Sequence, residues 1–317
     1  MPVTVTREAV VAAAARIDEA VEHTPLVASH IGGVRIWLKC ECLQTGGAFK
    51  LRGATYRLMQ LTPEERKAGV VAFSSGNHAQ GVAIAADRLG IPATIVMPAD
   101  APAIKIDSTR SHGADIVFYD RRTESREEIA ARLAGERGAV VVPSFDDPHI
   151  VAGQGTVGLE ILRQLDDLGE APPTAIAVPV GGGGLASGIA LAVPDAEIIG
   201  AEPEGWDDMR RSLESGEIVP VGPDAPPTLC DALQTPRVSP ITFGILRDRK
   251  AKVVAVSEDE VADAVRWAWK HHQLTVEPGG AAGLAAVLSG KAEPRDGVVV
   301  ILSGGNVDPT LHQRLIA

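Results

Sequence analysis

Residues 70–90 read VVAFSSGNHAQGVAIAADRLG, and three kinds of local structure follow one another within this stretch. The apolar run VVAF at 70–73 has the length and the residue types of a buried strand. The polar turn SSGN at 74–77 follows, and small and apolar residues then continue at helical spacing as far as Gly90. Glycine is a common residue directly after a helix end. The stretch therefore predicts a strand, a tight turn and a helix in succession.

The same succession recurs along the chain. Further apolar runs typical of buried parallel strands are ATIVM at 93–97, DIVFY at 115–119, AIAVPV at 175–180 and VVVIL at 298–302. Helical stretches such as SREEIAARLAGERG at 125–138 lie between them. Alternating strands and helices predict an α/β fold with open parallel sheets and right-handed crossovers. Residues 216–240 are the least regular part and predict a long ordered loop.

Composition limits the classes of partner and location. The 317 residues, 45% of them hydrophobic, are enough for two domains or lobes. The net charge of −11 argues against nucleic acid or an anionic membrane surface as the main partner. No apolar run reaches the length of a membrane span, and the first residues do not resemble a signal peptide. The odd count of three cysteines favours packed thiols in a reducing cytoplasm, so we expect a cytoplasmic protein.

Three of the predicted strands are followed directly by segments that contain glycine, serine or asparagine. The three segments are SSGNHAQG at 74–81, GGGGLASG at 181–188 and SGGN at 303–306. In open α/β sheets, ligands bind beyond the carboxyl ends of the strands. The three segments therefore predict one ligand site.

The tetraglycine turn has two interpretations. Glycine amides and a helix N-terminus bind phosphate of any kind, so a phosphate site is predicted. Gly181, Gly183 and Ala186 also have the G-x-G-x-x-G/A spacing, and Glu202 follows the next strand-like run, where dinucleotide enzymes place a ribose-binding acid. A nicotinamide-dependent dehydrogenase therefore remains an alternative at this point.

Residues 46–54, GGAFKLRGA, surround one lysine with small residues and place Phe49 directly before it. A surface lysine needs no such space, because its ammonium group stays in water. A lysine that holds a flat cofactor through an imine does need it. Lys50 is therefore the candidate for a covalent cofactor anchor.

Five motifs, GGAFKLRGA, SSGNHAQG, GGGGLASG, EPGGAAGLA and SGGN, occur in this order. Together they resemble the pyridoxal-phosphate-dependent threonine/serine dehydratase and serine racemase family, from about Thr24 to Asp308. The resemblance implies the tryptophan-synthase-β-like α/β fold (PLP fold type II), with two lobes of open parallel sheet. Residues 1–68 and 147–317 would form a discontinuous large cofactor-binding lobe, and residues 69–146 a small lobe. Pyridoxal 5′-phosphate would lie in the cleft between them.

The resemblance also implies residue roles around the cofactor. Lys50 would form the Schiff base and, once a substrate has released it, act as the base at the substrate Cα. Phe49 would cover one face of the pyridine ring, Asn77 would bond the ring hydroxyl, and Ser303 would face the pyridine nitrogen. A serine there, in place of a carboxylate, favours elimination over transamination. The phosphate contacts would come from Gly181, Gly182, Gly183, Gly184 and Leu185.

Ser75 is the second catalytic candidate, since a serine at this place in the family faces the substrate from the side opposite the lysine. It would protonate Cα from that face or assist at the β-position, although an N-cap role also fits. The helix start after β-strand 70–73 offers free amides to an anion. The residues expected at the substrate carboxylate are Ser74, Ser75, Gly76, Asn77 and His78, and a structural role fits His78 equally well.

A metal site is suggested by Glu202 and Asp208, with Trp206 between them to offer a backbone carbonyl. Oxygen ligands of this kind suit Mg²⁺ or Ca²⁺. In racemase and hydroxyaspartate-dehydratase members, the matching acidic residues hold such an ion outside the active site. Two solvated carboxylates are the alternative.

Two further residues resemble family positions near the cofactor or the substrate. Glu277 in EPGGAAGLA would lie beside the cofactor ring, unless it only caps a helix. Arg126 would pair with the second carboxylate of a substrate such as 3-hydroxyaspartate, unless it belongs to a solvated helix face.

The resemblance implies β-elimination from L-threonine or L-serine to a 2-keto acid and ammonia. Serine racemase or threo-3-hydroxyaspartate ammonia-lyase activity is the alternative with the same cofactor, and the nicotinamide dehydrogenase is the remote one. The expected partner is a small hydroxy amino acid, and a homodimer or higher homo-oligomer is expected. Because the sequence ends at Ala317, soon after SGGN, we expect no regulatory domain of the biosynthetic threonine dehydratase kind.

Overall fold

The computed structural model describes residues 5–74, 76–101 and 103–317, with the side chains of residues 103 and 104 left aside. Within these residues the larger sheet has six strands. They are β1 (Leu26–Ile31), β2 (Val34–Lys39), β7 (Ala175–Pro179), β8 (Glu197–Pro203), β9 (Lys252–Val256) and β10 (Val298–Ile301). Their order is β1-β2-β10-β7-β8-β9. Only β1 and β2 pair in antiparallel fashion, around Gly32 and Gly33 at φ +60° and +81°.

A second sheet has four strands in the described part of the chain. They are β3 (Val70–Phe73), β4 (Ala93–Pro98), β5 (Asp115–Tyr119) and β6 (Val140–Val141). All pairs are parallel, and the order is β5-β4-β3-β6. The five strands predicted from sequence are therefore confirmed to within a residue at their ends. This sheet lies inside the range predicted for the small lobe, while the boundaries of the two lobes stay a prediction.

The helices of the described residues connect and cover the strands. They are α1 (Arg7–Ile17), α2 (Lys50–Met59), α3 (Pro63–Ala68), α4 (Asn77–Leu89), α5 (Ala103–Ser111), α6 (Arg126–Arg137), α7 (Pro148–Asp167), α8 (Gly184–Ala192), α9 (Asp208–Ser215), α10 (Pro240–Asp248), α11 (Glu258–His272), α12 (Pro278–Leu288) and α13 (Pro309–Ile316). Gly90 and Gly138 end α4 and α6 in the left-handed conformation, as predicted. Residues 216–240 form the predicted loop, interrupted by one 3₁₀ turn at Asp231–Leu233.

Glycines bring the helices that carry the site into backbone contact with α7. A Cβ placed on Gly153 of α7 would lie 2.7 Å from the Cα of Gly53 in α2. A Cβ on Gly188 of α8 would overlap the backbone nitrogen of Gly155 in α7. Helix α2 begins at Lys50, and α8 follows the tetraglycine turn. The close contacts with α7 therefore fix the positions of both the lysine and the glycine turn.

Beneath α2 lies a group of buried charges that the sequence analysis missed. Arg52, two residues after Lys50, donates to both Glu41 oxygens at 2.8 Å and to Glu160 Oε2 at 2.9 Å. Lys39 Nζ lies 2.5 Å from Glu160 Oε1. All four side chains are buried. The pKa of the Glu160 carboxyl is lowered, since Arg52 and Lys39 outweigh the opposing effect of burial.

The cysteines are packed thiols, as predicted. Cys40, Cys42 and Cys230 are buried and free, and burial raises the pKa of Cys40 and Cys230 to about 12. The structure places Cys40 after the end of β2 and Cys42 in a 3₁₀ turn. In the part of the chain that the structure describes, no helix is long and apolar enough to cross a membrane.

Replacing Arg52 by methionine tests the buried charge group. Arg52→Met leaves Glu41 buried without its guanidinium partner, and removing one member of a buried ion pair typically costs about 3–5 kcal/mol. We expect a loss of that size in urea unfolding of the cofactor-free protein. Arg132→Met is the matched control: Arg132 forms an exposed helix pair with Glu136 and should cost less than about 0.5 kcal/mol. Equal small losses for both variants would contradict the structural role.

Candidate active site

The lysine segment is held against the SGGN turn by backbone contacts. Ala48 forms an isolated antiparallel bridge with Gly304. Phe49 N donates to Ser303 O at 3.2 Å, and Gly305 N donates to Gly47 O at 2.8 Å. These bonds place Lys50, the first residue of α2, beside the end of β10.

The Lys50 amine lies in a partly enclosed position. Its Nζ donates to Ser144 O at 3.2 Å and lies 5.1 Å from the centre of the Phe49 ring. Burial lowers the pKa of Lys50 to about 8, although Glu277 acts in the opposite direction. A substantial fraction of the amine is therefore uncharged slightly above neutral pH, as a nucleophile or a base requires.

Helix α4 begins with an uncapped N-terminus. Its N-cap is Gly76, and among the residues that the structure describes no side chain caps the first turn. The Ser74 hydroxyl instead accepts a hydrogen bond from Gly76 N at 3.2 Å. Ser75, the second predicted catalytic residue, lies outside the described residues. The described start of α4 therefore presents amides that suit a carboxylate, and the substrate contact there stays a prediction.

The His78 side chain is directed into the packing of the second sheet. Its Nε2 donates to Val142 O at 2.8 Å. Burial, and then the charge of Lys50, lowers the pKa of His78 to about 3, so the imidazole is neutral. The ring has a structural role, and only the backbone amide of His78 can serve a substrate carboxylate.

A hydrogen bond joins Asn77, at the start of α4 beside the second sheet, to Glu277, directly before α12. Asn77 Nδ2 donates to Glu277 Oε1 at 2.5 Å, and both side chains are buried. Burial raises the pKa of Glu277 to about 8, and the nearby Asp231 adds to the effect. A Cβ on Gly304 would overlap Glu277 Oε1, so the SGGN turn needs glycine there. Glu277 is the N-cap residue of α12, yet its side chain does not cap that helix.

The tetraglycine turn ends in a helix start with free amides. Gly183, at φ +84°, is the N-cap of α8, and no side chain caps it. The first helical bond runs from Ser187 N to Gly183 O at 2.9 Å, so the preceding amides point out of the helix end. Leu185 is buried in the first turn of α8. This geometry suits a phosphate.

Phe145 connects the lysine and the glycine turn. Phe145 directly follows Ser144, whose carbonyl accepts a hydrogen bond from the Lys50 amine. The Phe145 ring lies against the Cα of Gly182. Ser303 is buried at the end of β10, where its backbone bonds to Gly280 and Phe49. Lys50, Asn77, Glu277, Ser303 and the glycine turn are thereby brought into one neighbourhood.

Glu202, Asp208 and Trp206 lie together elsewhere, between β8 and α9. Glu202 accepts from Met209 N at 3.0 Å and from Arg210 N at 2.9 Å. Both Asp208 oxygens are buried, and among the described residues no well-formed hydrogen bond reaches them, although the backbone amides of Val238 and Asp208 lie close enough to lower the pKa of the carboxyl. Burial raises the pKa of Asp208 to about 7 and that of Glu202 well above its usual range.

Comparison with known proteins agrees with this arrangement. The family model described as pyridoxal-phosphate dependent enzyme matches residues 17–304. The chain belongs to this family. Its cofactor is pyridoxal 5′-phosphate, and its fold is PLP fold type II, as the sequence predicted.

Three proteins similar to this chain illustrate different activities. The L-threo-3-hydroxyaspartate ammonia-lyase of Pseudomonas sp is 44% identical over 97% of this chain and 97% of its own length. The L-threonine ammonia-lyase of Thermotoga maritima is 42% identical over 92% of this chain and 72% of its own length. The structure of maize serine racemase has a TM-score of 0.90 at 38% identity, covering 99% of this chain and 97% of that one.

The dinucleotide interpretation of the glycine turn is not supported. The matching family uses pyridoxal phosphate, and the Glu202 carboxylate is buried against the amides of α9, where no ribose can reach it. The uncapped start of α8, the small residues around it and the Lys50 amine fit a phosphorylated aldehyde instead.

Sequence reasoning missed the contributions of Ser144, Phe145 and Asn306. Ser144 and Phe145 follow β6, so the rule that ligands bind beyond strand ends could have found them. That strand has only two residues and gives almost no periodic signal. Asn306 lies inside the SGGN motif but received no role of its own.

Gly182→Ala tests the phosphate role of the turn. The new Cβ would overlap the Phe145 ring, and overpacking of this kind costs about 1–3 kcal/mol. We expect the dissociation constant of pyridoxal phosphate to rise about tenfold or more, as measured by absorbance titration. Phe145→Ala in the same chain removes the overlap and should restore much of the affinity. Unchanged affinity in Gly182→Ala would contradict a phosphate contact at this turn.

Proposed function

We propose that this protein is a pyridoxal-phosphate-dependent ammonia-lyase whose preferred substrate is L-threo-3-hydroxyaspartate. The product would be a 2-keto acid, released together with ammonia. The position of the Arg126 guanidinium over the ring of Phe73, the last residue of β3, carries the substrate assignment. The Pseudomonas relative, which matches over nearly the full length of both chains, supports it.

Bound pyridoxal phosphate withdraws electrons from the substrate and so acidifies its Cα–H bond. The chain supplies the base, since the Lys50 amine has a lowered pKa and lies beside Phe49. When the Lys50 amine is not bonded to the cofactor, it can donate a hydrogen bond to the Ser144 carbonyl. This bond would keep the amine close to the reacting carbon. The start of α4 would bind the α-carboxylate through its uncapped amides.

The proposed environment of the pyridine nitrogen favours elimination. Ser303 is uncharged and buried, so it offers a hydroxyl and no carboxylate at that place. Because no negative charge keeps the pyridine nitrogen protonated, a long-lived carbanion at Cα is disfavoured. Prompt loss of the β-hydroxyl is therefore favoured over transamination. Ser75 would face the opposite side of the substrate, which is the arrangement that racemisation needs.

Arg126 is placed to receive a second carboxylate. Its guanidinium lies 5.6 Å from the centre of the Phe73 ring, and Phe73 is the last residue of β3, directly before the turn into α4. Within the described residues its only ion pair is to Glu127 at 2.9 Å, through Nε. The two Nη groups form the face that carboxylates prefer.

L-Threonine and L-serine are the second candidate substrates. The pairing of Arg126 with Glu127 favours them, because an arginine already paired has less charge to offer a substrate. The Thermotoga relative is an L-threonine ammonia-lyase. Neither amino acid carries a second carboxylate.

The substrate assignment is tested by 2-keto acid release from L-threo-3-hydroxyaspartate, L-threonine and L-serine, with the cofactor-loaded protein. We expect the highest kcat/KM for hydroxyaspartate. Arg126→Gln should reduce that value about 10- to 100-fold, the size of a charge-assisted hydrogen bond, and change the threonine value less than about threefold. Arg132→Gln, on the same helix, is the matched control and should change neither.

A threonine or serine preference that survives Arg126→Gln would instead establish the second candidate. Equal losses on all three substrates would remove the specific role of Arg126. If no keto acid forms, measurement of D-amino acids by chiral chromatography would show whether racemisation replaces elimination.

We also propose a Mg²⁺ or Ca²⁺ ion bound by Glu202, Asp208 and the Trp206 carbonyl. The pKa values of both buried carboxyls stay raised although Arg211 lies close enough to lower that of Asp208, and this excess of buried negative charge supports a bound cation. In the described residues no cluster of three or more His, Cys, Asp or Glu side chains is present, so water would complete the shell. Met209 packs against Gly183, which connects this site to the phosphate turn.

The metal proposal predicts a pH-dependent response. In the metal-free protein the raised pKa values of Glu202 and Asp208 make stability fall as pH rises from about 4 through the Asp208 pKa of about 7, because the unfolded chain ionises first. Ionised carboxylates bind the ion, so added Mg²⁺ should raise the melting temperature more at pH 8 than at pH 5.5. Asp208→Asn should abolish that response, while the exposed Asp248→Asn keeps it. Identical melting curves with Mg²⁺ and with EDTA at pH 8 would exclude the site.

Three expectations remain predictions. They are the lobe division at 1–68 plus 147–317 and 69–146, a homodimeric or higher assembly, and a cytoplasmic location.

A further inference from the structure

Asn77 and Asn306 are the two asparagines of the chain, and they bond to each other. Asn306 Nδ2 donates to Asn77 Oδ1 at 2.8 Å. Asn77 lies at the start of α4, beside the second sheet, and Asn306 lies after β10 of the larger sheet. The contact therefore connects the two sheets at the candidate active site.

The orientation of the Asn306 amide is determined by its neighbours. Its nitrogen also lies 2.7 Å from Gly46 O and 3.1 Å from Gln80 Oε1. A backbone carbonyl can only accept, so the group facing Gly46 must be the NH₂. The Asn306 oxygen lies against Gly47, where a Cβ would overlap it, so little room is left for rotation of the amide.

The orientation of Asn306 in turn determines that of Asn77. Since Asn306 donates, the atom of Asn77 that faces it must be the oxygen. The Asn77 NH₂ group then points to Glu277 Oε1, at 2.5 Å. An NH₂ group has two hydrogens, so one remains for a further acceptor. The ring oxygen of the cofactor is the acceptor proposed for Asn77.

We propose that Asn306 is a positioning residue, which holds the Asn77 amide so that its N–H hydrogens, and not its oxygen, face Glu277 and the ring oxygen of bound pyridoxal phosphate. Its bond to Gly46 also ties this orientation to the segment that carries Lys50. The inference rests on the cofactor contact proposed for Asn77 and not on the identity of the substrate. Its failure and that of the substrate assignment are therefore distinguishable.

Asn306→Ala removes the bond that orients Asn77. We expect the dissociation constant of pyridoxal phosphate to rise about three- to tenfold, the size of one hydrogen bond. A donor at the ring oxygen stabilises its deprotonated form, so the pH midpoint of the bound cofactor's visible absorption change should move up by about half a unit to one unit. Absorbance titration gives both quantities, with the melting temperature recorded in parallel.

The same substitution in an Asn77→Ala background shows whether Asn306 acts through Asn77. If it does, both effects of Asn306→Ala disappear in that background, because interacting residues are not additive. Effects that persist would mean that Asn306 acts through Gly46 alone, and they would overturn the proposal. No change of affinity or midpoint in the single variant would also overturn it.

Two further variants complete the test. Asn306→Asp keeps the shape of the side chain but offers only acceptors, so it should shift the midpoint in the same direction, even if the alanine variant folds poorly. Gln80→Ala is the matched control: it removes an acceptor of Asn306 and leaves the bond to Asn77. A midpoint shift in Gln80→Ala as large as that in Asn306→Ala would overturn the assignment to Asn77.

Discussion

The pairing of residues 46–50 with the turn at 303–306 is the contact on which the rest of the site depends. It joins segments from opposite ends of the chain by backbone hydrogen bonds and the Ala48–Gly304 bridge. The larger sheet, in which β10 lies between β2 and β7, therefore places the lysine segment near the glycine turn. Glycines make this backbone pairing possible. Gly46 and Gly47 adopt positive φ angles, and the missing side chain of Gly304 leaves room for the Glu277 carboxyl. A site built on backbone contacts tolerates few side chains there.

Burial in this neighbourhood removes charge from groups that would carry it in water. The pKa values of Lys50 and Glu277 both move to about 8, from opposite directions, mainly because the low-dielectric surroundings disfavour either charge. Their contributions to stability then oppose each other. The Glu277 contribution falls between about pH 4.5 and 8, and the Lys50 contribution rises only above pH 8. At neutral pH both groups are therefore mostly protonated, and the free amine that proton abstraction needs becomes abundant as the pH approaches 8.

The sequence predicted the strands and helices well where the pattern was long and repeated. The runs at 70–73, 115–119 and 298–302 are strands because buried parallel strands need nothing more than a short apolar run. The β1–β2 hairpin was missed, although Gly32 and Gly33 are a typical two-residue turn. The buried group of Arg52, Glu41, Glu160 and Lys39 could not be predicted. Its members come from four separate elements, namely β2, the 3₁₀ turn that begins at Glu41, α2 and α7, and the sequence has no periodic pattern that identifies a charge as buried.

The roles of Asn77 and Asn306 illustrate why motifs and geometry are both needed. The motifs predict a cofactor contact for Asn77, but an amide can present either its oxygen or its nitrogen. Only the hydrogen bonds of Asn306 to Gly46 O and to Asn77 Oδ1 decide between the two. The choice is chemically important, because a donor and an acceptor at the same oxygen shift its protonation in opposite directions. Under the proposed role of Asn306, the proton state of the cofactor ring would thus depend on a residue that acts through the Asn77 amide.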